Sequence, residues 1–279
     1  YGGSSMTNTN CAKATLRLTR TTAYPILQVL YRDTKGIEGY FTYQTHDAGN
    51  AGTAYIGDYN AQLTVIKPLA SYESTVMPYG LSLVYNSAYS NKLFTNDNKN
   101  IHTKDFTTTN LGAGWKLSAQ ETITTVSLED VNSSGTTQTT WLIYNDSDGT
   151  EHYFKKSESD SSKYEDEDGL NLTITKNGSD FTMTDKQDNQ KFFKNGYLTK
   201  ITDANGNAIH IVYNGGTASS NTISSSGANR ITSVYSQPKG ANAEVIFTLT
   251  YDSGNRLTRI QETYGNSYQF GYMTDGNGT

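Results

Sequence analysis

One cysteine, Cys11, among 279 residues leaves no internal disulfide framework, so burial and hydrogen bonding must hold the fold. The lone thiol reads as unpaired and without function. No apolar run approaches the roughly 18 to 20 residues that a membrane-spanning helix needs, which speaks against membrane insertion. The net charge is -5, and Lys and Arg are nowhere clustered as a phosphate-binding surface requires; nucleic acid is thereby excluded as a partner. Proline is scarce, at 4, and hydrophobic residues make up only 34%. No segment sustains an i, i+3, i+4, i+7 apolar pattern, so little or no helix is expected.

What is abundant points to β structure. Tyr (21) outnumbers Phe (9), and Gly stands at 25. Tyr buries an apolar ring while keeping its hydroxyl near water, which suits half-exposed sheets. Together with plentiful Thr, this favours strands joined by tight turns. The chain is long enough to bury a sizeable core.

Four regions follow. Residues 1–33 contain ATLRLT and ILQVLY, which read as the last strands of a β-sandwich begun before Tyr1. Residues 34–78 form a Gly- and aromatic-rich junction that includes GYFTYQTHDAGNAGTAYIGDYN, with strand QLTVIKPL following. Residues 79–192 read as a first hairpin region, with YGLSLVYNS and one long strand over 111–130. From about residue 140 it becomes a ladder whose turns fall at Asp148-Gly149, Asp168-Gly169, Asp188-Asn189 and Asn195-Gly196. Such dipeptides relax easily to the positive φ that a two-residue type I′ hairpin turn demands.

Residues 193–279 repeat. Leu198, Gly206 and Tyr213 are matched by Leu257, Gly265 and Tyr272, and Ile231 to Tyr251 is a copy stretched by five residues at Pro-Lys-Gly. Each copy reads as a hairpin. In the first, regular alternation puts Leu198, Lys200 and Thr202 on one face and Thr199, Ile201 and Asp203 on the other, with the turn at Asn205-Gly206. An insertion confined to a turn is tolerated by stacked hairpins and rarely by active sites.

This pattern resembles the RHS, or YD-repeat, proteins. The resemblance rests on Gly196, Leu198, Thr199, Ile201, Asp203, Gly206 and Asn207, and on Tyr251-Asp252 before Gly254-Asn255-Arg256-Leu257. YGLSLVYNS, LGAGWKLS and DGTEHYF are similar to segments that precede the repeats, and residues 20 to 60 are similar to the junction found in Gram-positive members after a carbohydrate-binding-like β-sandwich. The resemblance implies an all-β antiparallel meander of stacked hairpins in a curved sheet, a partial shell. It also implies a secreted or cell-surface bacterial protein. Three copies are too few to close a shell, and the family's self-cleavage motif and toxin segment are missing. A fragment of a larger protein, without encapsulation, is therefore expected, the remainder of its own shell being one partner.

Candidate chemistry is sparse. His46, His102, His152 and His210 lie far apart without metal-ligand spacing and read as structural or solvated. Asp146, Asp148 and Glu151, and Glu165 to Asp168, resemble calcium loops but lack the full ligand series. Asp185, Asp188 and Asp203 stand out from turn residues in nothing. No cofactor or metal site and no enzymatic activity is expected. The primary reading is a non-enzymatic structural module. The alternative is a binding module for a host surface or serum protein such as an immunoglobulin, or for a glycan. Its surface would be Tyr40, Tyr43, Tyr55 and Tyr59, since Tyr offers large contact area at low entropy cost. A carbohydrate-active module stands third.

Overall fold

The computed structural model describes residues 15–20, 25–30, 35–90, 111–132, 135–167, 169–224 and 229–272, of which 15–20, 25–30, 130–132 and 135–136 are described by backbone alone. Cys11, His102 and Asp168 lie outside them. The described residues form twenty antiparallel strands and two single-turn 3₁₀ segments, at Gly49–Ala51 and Ser87–Tyr89, as the all-β reading expects. Among them no helix is long and apolar enough to cross a membrane.

Strands β1 (Thr15–Arg20) and β2 (Pro25–Leu30) pair with each other. A five-stranded meander follows: β3 (Tyr43–Asp47), β4 (Thr53–Gly57), β5 (Leu63–Tyr72), β6 (Tyr79–Asn86) and β7 (Trp115–Leu117). The expected single strand over 111–130 is broken. Gln120 accepts the Leu117 N–H on its side chain and returns its own N–H to the Leu117 carbonyl, which turns the chain out of the meander.

After that corner the chain builds one 13-stranded sheet. It begins with β8 (Thr122–Asn132), β9 (Gly135–Asn145), β10 (Glu151–Lys156) and β11 (Lys163–Asp166). It continues through β12 (Thr173–Asn177), β13 (Asp180–Thr184), β14 (Gln190–Lys194) and β15 (Tyr197–Thr202). Here the sheet closes. β15 runs along β14 on one edge, and its start meets β8 on the other, with Tyr197 opposite Thr122. Two bonds seal the seam, Ile123 N–H to Gly196 at 2.8 Å and Leu198 N–H to Glu121 at 3.1 Å. The first eight strands are thus a barrel, where an open curved sheet was expected. The end of β15, residues 200–202, passes the edge on to β16 (Ala208–Tyr213). β17 (Ile231–Gln237), β18 (Glu244–Tyr251), β19 (Leu257–Glu262) and β20 (Ser267–Gln269) continue it.

Alternation fills the barrel. Leu142 and Tyr144 of β9 and Phe154 of β10 join Ile123, Ile174, Met183, Phe193 and Leu198 in one core. That core extends through Ile209, Ile211, Phe247 and Ile260 of the later strands to Leu81 and Leu117 of the five-stranded meander. Trp141, Ile143 and Tyr153 are buried in a second, smaller cluster with Val126 and Leu128. β9 is therefore covered on both faces. Fully burying a side chain of this size is worth about 1.5–3 kcal/mol.

The repeats are built differently from a regular alternation. Next to an aromatic residue at the end of the previous strand, or one before its end in β14, the ladder gains one extra residue, and in all three it is Thr: Thr199 against β14, Thr232 against β16, Thr258 against β18. Each is a β-bulge. Its hydroxyl donates to a carbonyl across the ladder, of Phe192 (3.0 Å), Val212 (3.4 Å) and Thr250 (3.0 Å) respectively. The bulge resets the phase, so residues three apart fall on the same face. Ile231 with Val234, and Leu257 with Ile260, are all fully buried, and Ile201 packs on the same core as Leu198. Opposite faces for Leu198 and Ile201, as regular alternation demanded, do not occur.

The turns also differ from expectation. Among the described residues only Asn195-Gly196 both has positive φ at its two positions (49° and 81°) and joins its strands with two residues. Four others share a three-residue loop headed by an aspartate: Asp146, Asp185, Asp203 and Asp252. In each, one carboxylate oxygen accepts the N–H groups two and four residues on, at 2.8–3.0 Å. A single positive φ, at Gly149, Asp188, Gly206 or Asn255, then closes the loop. The aspartate supplies what a second positive φ would otherwise have to, so Asn205 keeps an ordinary conformation.

Candidate functional site

The residues singled out in the sequence separate into three settings. In the first, Tyr40 and Tyr59 come together on the surface, 49% and 77% exposed. Phe41 lies between them, stacked on Tyr59 at 5.4 Å and 9° and tilted against Tyr40 at 4.7 Å. Asp58, next in sequence to Tyr59, accepts the Gln44 amide at 3.1 Å. Tyr43 and Tyr55 do not join this patch. The Tyr43 hydroxyl accepts the Glu38 N–H at 2.8 Å and donates to the Gly36 carbonyl at 3.2 Å. Tyr55 is half-buried within β4, opposite Thr45 and Thr64.

In the second setting, the repeat residues bond to one another. The Tyr251 hydroxyl donates to Ile231 O and that of Tyr272 to Leu257 O, both at 2.8 Å. Arg230 and Arg256 lie over these rings at 5.7 and 5.3 Å. In the first copy Tyr197 stands where the later ones have Arg, and it meets Tyr213 edge-on at 6.0 Å. Asp203 holds the Asn207 side-chain amide at 2.7 Å, and Asn207 in turn accepts Lys239 N–H at 3.0 Å from the next hairpin's turn. Asn189 does the same one hairpin earlier, accepting Ala204 N–H at 3.1 Å. The Asn after Gly206 therefore stitches neighbouring turns together. At Asp252 the partner is Arg256, through Nε at 2.8 Å. Asp203 is held below the usual carboxylate range by Asn207, and Asp252 by the Arg256 backbone N–H. Gly265 follows Glu262, whose carboxylate accepts the Asn266 N–H at 2.8 Å in place of the aspartate.

The third setting is a buried polar network that alternation did not reveal. Lys116 lies on the strand position that alternation sends outward, yet the β9–β10 turn covers it to 1% exposure. Its ammonium donates to Asn145 at 2.8 Å and to the Asp146 carbonyl. Burial pushes it down to about 8 against the pull of Asp146, Glu121 and Asp148. Around it, His152 meets Asp146 at 3.1 Å, and Lys35 meets Glu151 at 3.6 Å. Tyr89 and Tyr153 donate to the two oxygens of Glu151, at 3.1 and 3.2 Å. Burial raises Asp148, with the charge of Asp146 behind it; Asp146 is held low by the His152 bond, in spite of its own burial. Inside the barrel, Glu121 accepts both the Tyr144 hydroxyl and, at 2.6 Å, the Lys191 ammonium. Glu165 and Asp166 lie elsewhere, on β11.

Chemically, this network ties the 35–38 segment, β7 and the β9–β10 turn to one another, and its carboxylates bond to Lys, Tyr, His and backbone groups. Among the described residues no group of three or more His, Cys, Asp or Glu side chains is placed to hold a metal ion. His46 is exposed on β3. His210 is half-buried and bonds Gln237 at 2.7 Å. Asp185 and Asp188 serve their turn. No family model and no curated protein matches the chain.

Proposed function

We propose that the chain is a non-enzymatic structural β-repeat module, the starting section of a larger sheet in a secreted or surface-borne bacterial protein of the RHS type. The observation that carries this reading is the thrice-repeated Thr bulge with an apolar pair packed on the core, joined in the second and third copies by a hydroxyl-bonded Tyr, laid edge to edge from the barrel's seam onward. Its polar groups serve the unit itself or the next hairpin. Among the described residues β20 pairs only with β19, and a further hairpin would bond to its other edge. Hydrogen exchange tests this. In the intact parent protein the amides of β20 on that edge are expected to be protected, whereas in the 279-residue chain they exchange fast. Fast exchange in both would sink the proposal.

The exposed Tyr40–Phe41–Tyr59 stack favours a second reading, a binding surface for a host protein such as an immunoglobulin, or for a glycan. A monomer with such a contiguous aromatic patch commonly uses it. Binding measured against immunoglobulin G and a glycan array is expected to fall at least about tenfold in Tyr59→Ala, which removes a central aromatic anchor. Undiminished binding by that variant, or none by the native chain, would exclude this surface.

A further inference from the structure

The outward face of β13–β16 holds a cleft of about 470 Å³, within the size range of small-ligand sites. Strand register builds its floor. Thr182 stands opposite Phe192, Phe192 opposite Lys200, and Lys200 opposite His210, so one row crosses four strands. The Lys200 ammonium rests 4.1 Å from the centre of the Phe192 ring. The far wall is the loop after β16, and it is fixed in place. The Asn221 side chain accepts Tyr213 N–H at 2.9 Å and donates to Ile211 O, taking the place of a neighbouring strand. Lys194 reaches across to the Asn221 carbonyl at 3.3 Å.

The charge in this cleft runs against the rest of the chain, which carries a net -5. Lys194 and Lys200 both line it, beside the His210 ring. No carboxylate pairs with Lys194 or Lys200 among the described residues, and the one acidic lining residue, Asp180, accepts Asn195 N–H at 2.9 Å. His210 is lowered by burial foremost, with Lys200's charge adding to it against the bond from Gln237. Setting two lysines into one cleft without a carboxylate to neutralise them costs stability, and a fold keeps such a cost where a ligand offsets it. The other lining groups are neutral hydroxyls and amides, including Asn177, Thr182 and Ser219, beside the Phe192 ring.

We infer that this cleft binds an acidic saccharide, its carboxylate held by Lys200 beside the His210 ring and its sugar ring set against Phe192 among the neutral donors. An aromatic ring beside two lysines and hydroxyl-binding groups matches a carboxylated sugar ring better than it matches a bare anion. The site is separate from the Tyr40–Tyr59 patch and does not depend on it.

Titration of the native chain with trigalacturonate, followed by calorimetry and the His210 ring resonances, is expected to show saturable binding with a shift at His210. Maltotriose, triglutamate and inorganic sulfate are expected to bind at least about tenfold more weakly, the loss of one charge-assisted contact or of the ring contacts being worth that much. Lys200→Gln, which breaks no ion pair and leaves the melting temperature unlowered, should weaken trigalacturonate by at least about tenfold. Equal binding of maltotriose would overturn the role of charge. Equal binding of triglutamate or sulfate would reduce the cleft to a peptide or simple anion site and overturn the saccharide. No binding of trigalacturonate, or full binding by the variant, overturns the assignment.

Discussion

Ile260→Ala is expected to destabilise the chain by about 2–5 kcal/mol, as much as Leu257→Ala, while Arg259→Ala between them stays within about 0.5 kcal/mol. Under regular alternation Ile260 and Leu257, three apart, would occupy opposite faces, and Ile260 would be the cheap one. The bulge at Thr258 reverses this. It pairs Leu257 with Tyr251 and Arg259 with Thr250, so Ile260 returns to the core with no exposed surface while Arg259 points to solvent. Truncation to Ala removes apolar atoms from contact with Leu257, Leu249 and the rest of one continuous core, and the surrounding sheet cannot collapse to fill the space. Thr258→Val keeps the shape and drops only the hydroxyl that donates to Thr250 O, so about 1 kcal/mol is expected from it. Urea midpoints at constant m-value would separate these outcomes. A neutral Ile260→Ala would mean the strand runs without its bulge.

The same bulge marks how far the sequence could be read. Alternating runs and Gly-containing turns made the strands and their antiparallel order legible. So was the hairpin that sets Lys200 opposite His210. A period-two pattern cannot carry a phase reset, however, and the Thr of Leu-Thr-x-Ile looks like any outward strand residue until its hydroxyl is seen bonded across the ladder. Turn type was legible only in part. Asn195-Gly196 announces a two-residue turn, but at Asp203 the deciding group is a carboxylate two residues before Asn205-Gly206. Closure of the barrel was hidden for another reason. It depends on Tyr197 meeting Thr122, a pairing between segments distant in the chain, and nothing in either segment names the other. Burial of Lys116 and Glu121 was hidden likewise, since both residue types are usually solvated. For the surface Tyr residues, composition identified the region, while Phe41, not chosen as a site residue, proved to be the ring that joins Tyr40 to Tyr59.

Glu121→Ala is expected to be the most damaging single polar substitution, near the low end of the about 3–5 kcal/mol that breaking a buried ion pair costs. The Glu121 side chain is 5% exposed and that of Lys191 30%, so water can partly repair the loss on the lysine side only. Tyr144 has no such relief: it is buried, its hydroxyl donates to the same Glu121 oxygen and receives Lys191 at 2.8 Å, and its ring packs edge-on against Phe193. Removing the carboxylate strands both donors inside the barrel, beside the seam where the Glu121 carbonyl accepts Leu198 N–H. The position of the charge, more than its strength, makes the residue critical, because β8 and β15 touch at one residue pair and little else holds the ring shut there. Pairing Glu121→Gln with Lys191→Met should recover much of the loss, since the amide can still accept the Tyr144 hydroxyl and no charge is left unpaired. A double-mutant cycle on denaturation midpoints measures this coupling. Additive losses would show that Glu121 and Lys191 act separately, and the closed seam would then need another explanation.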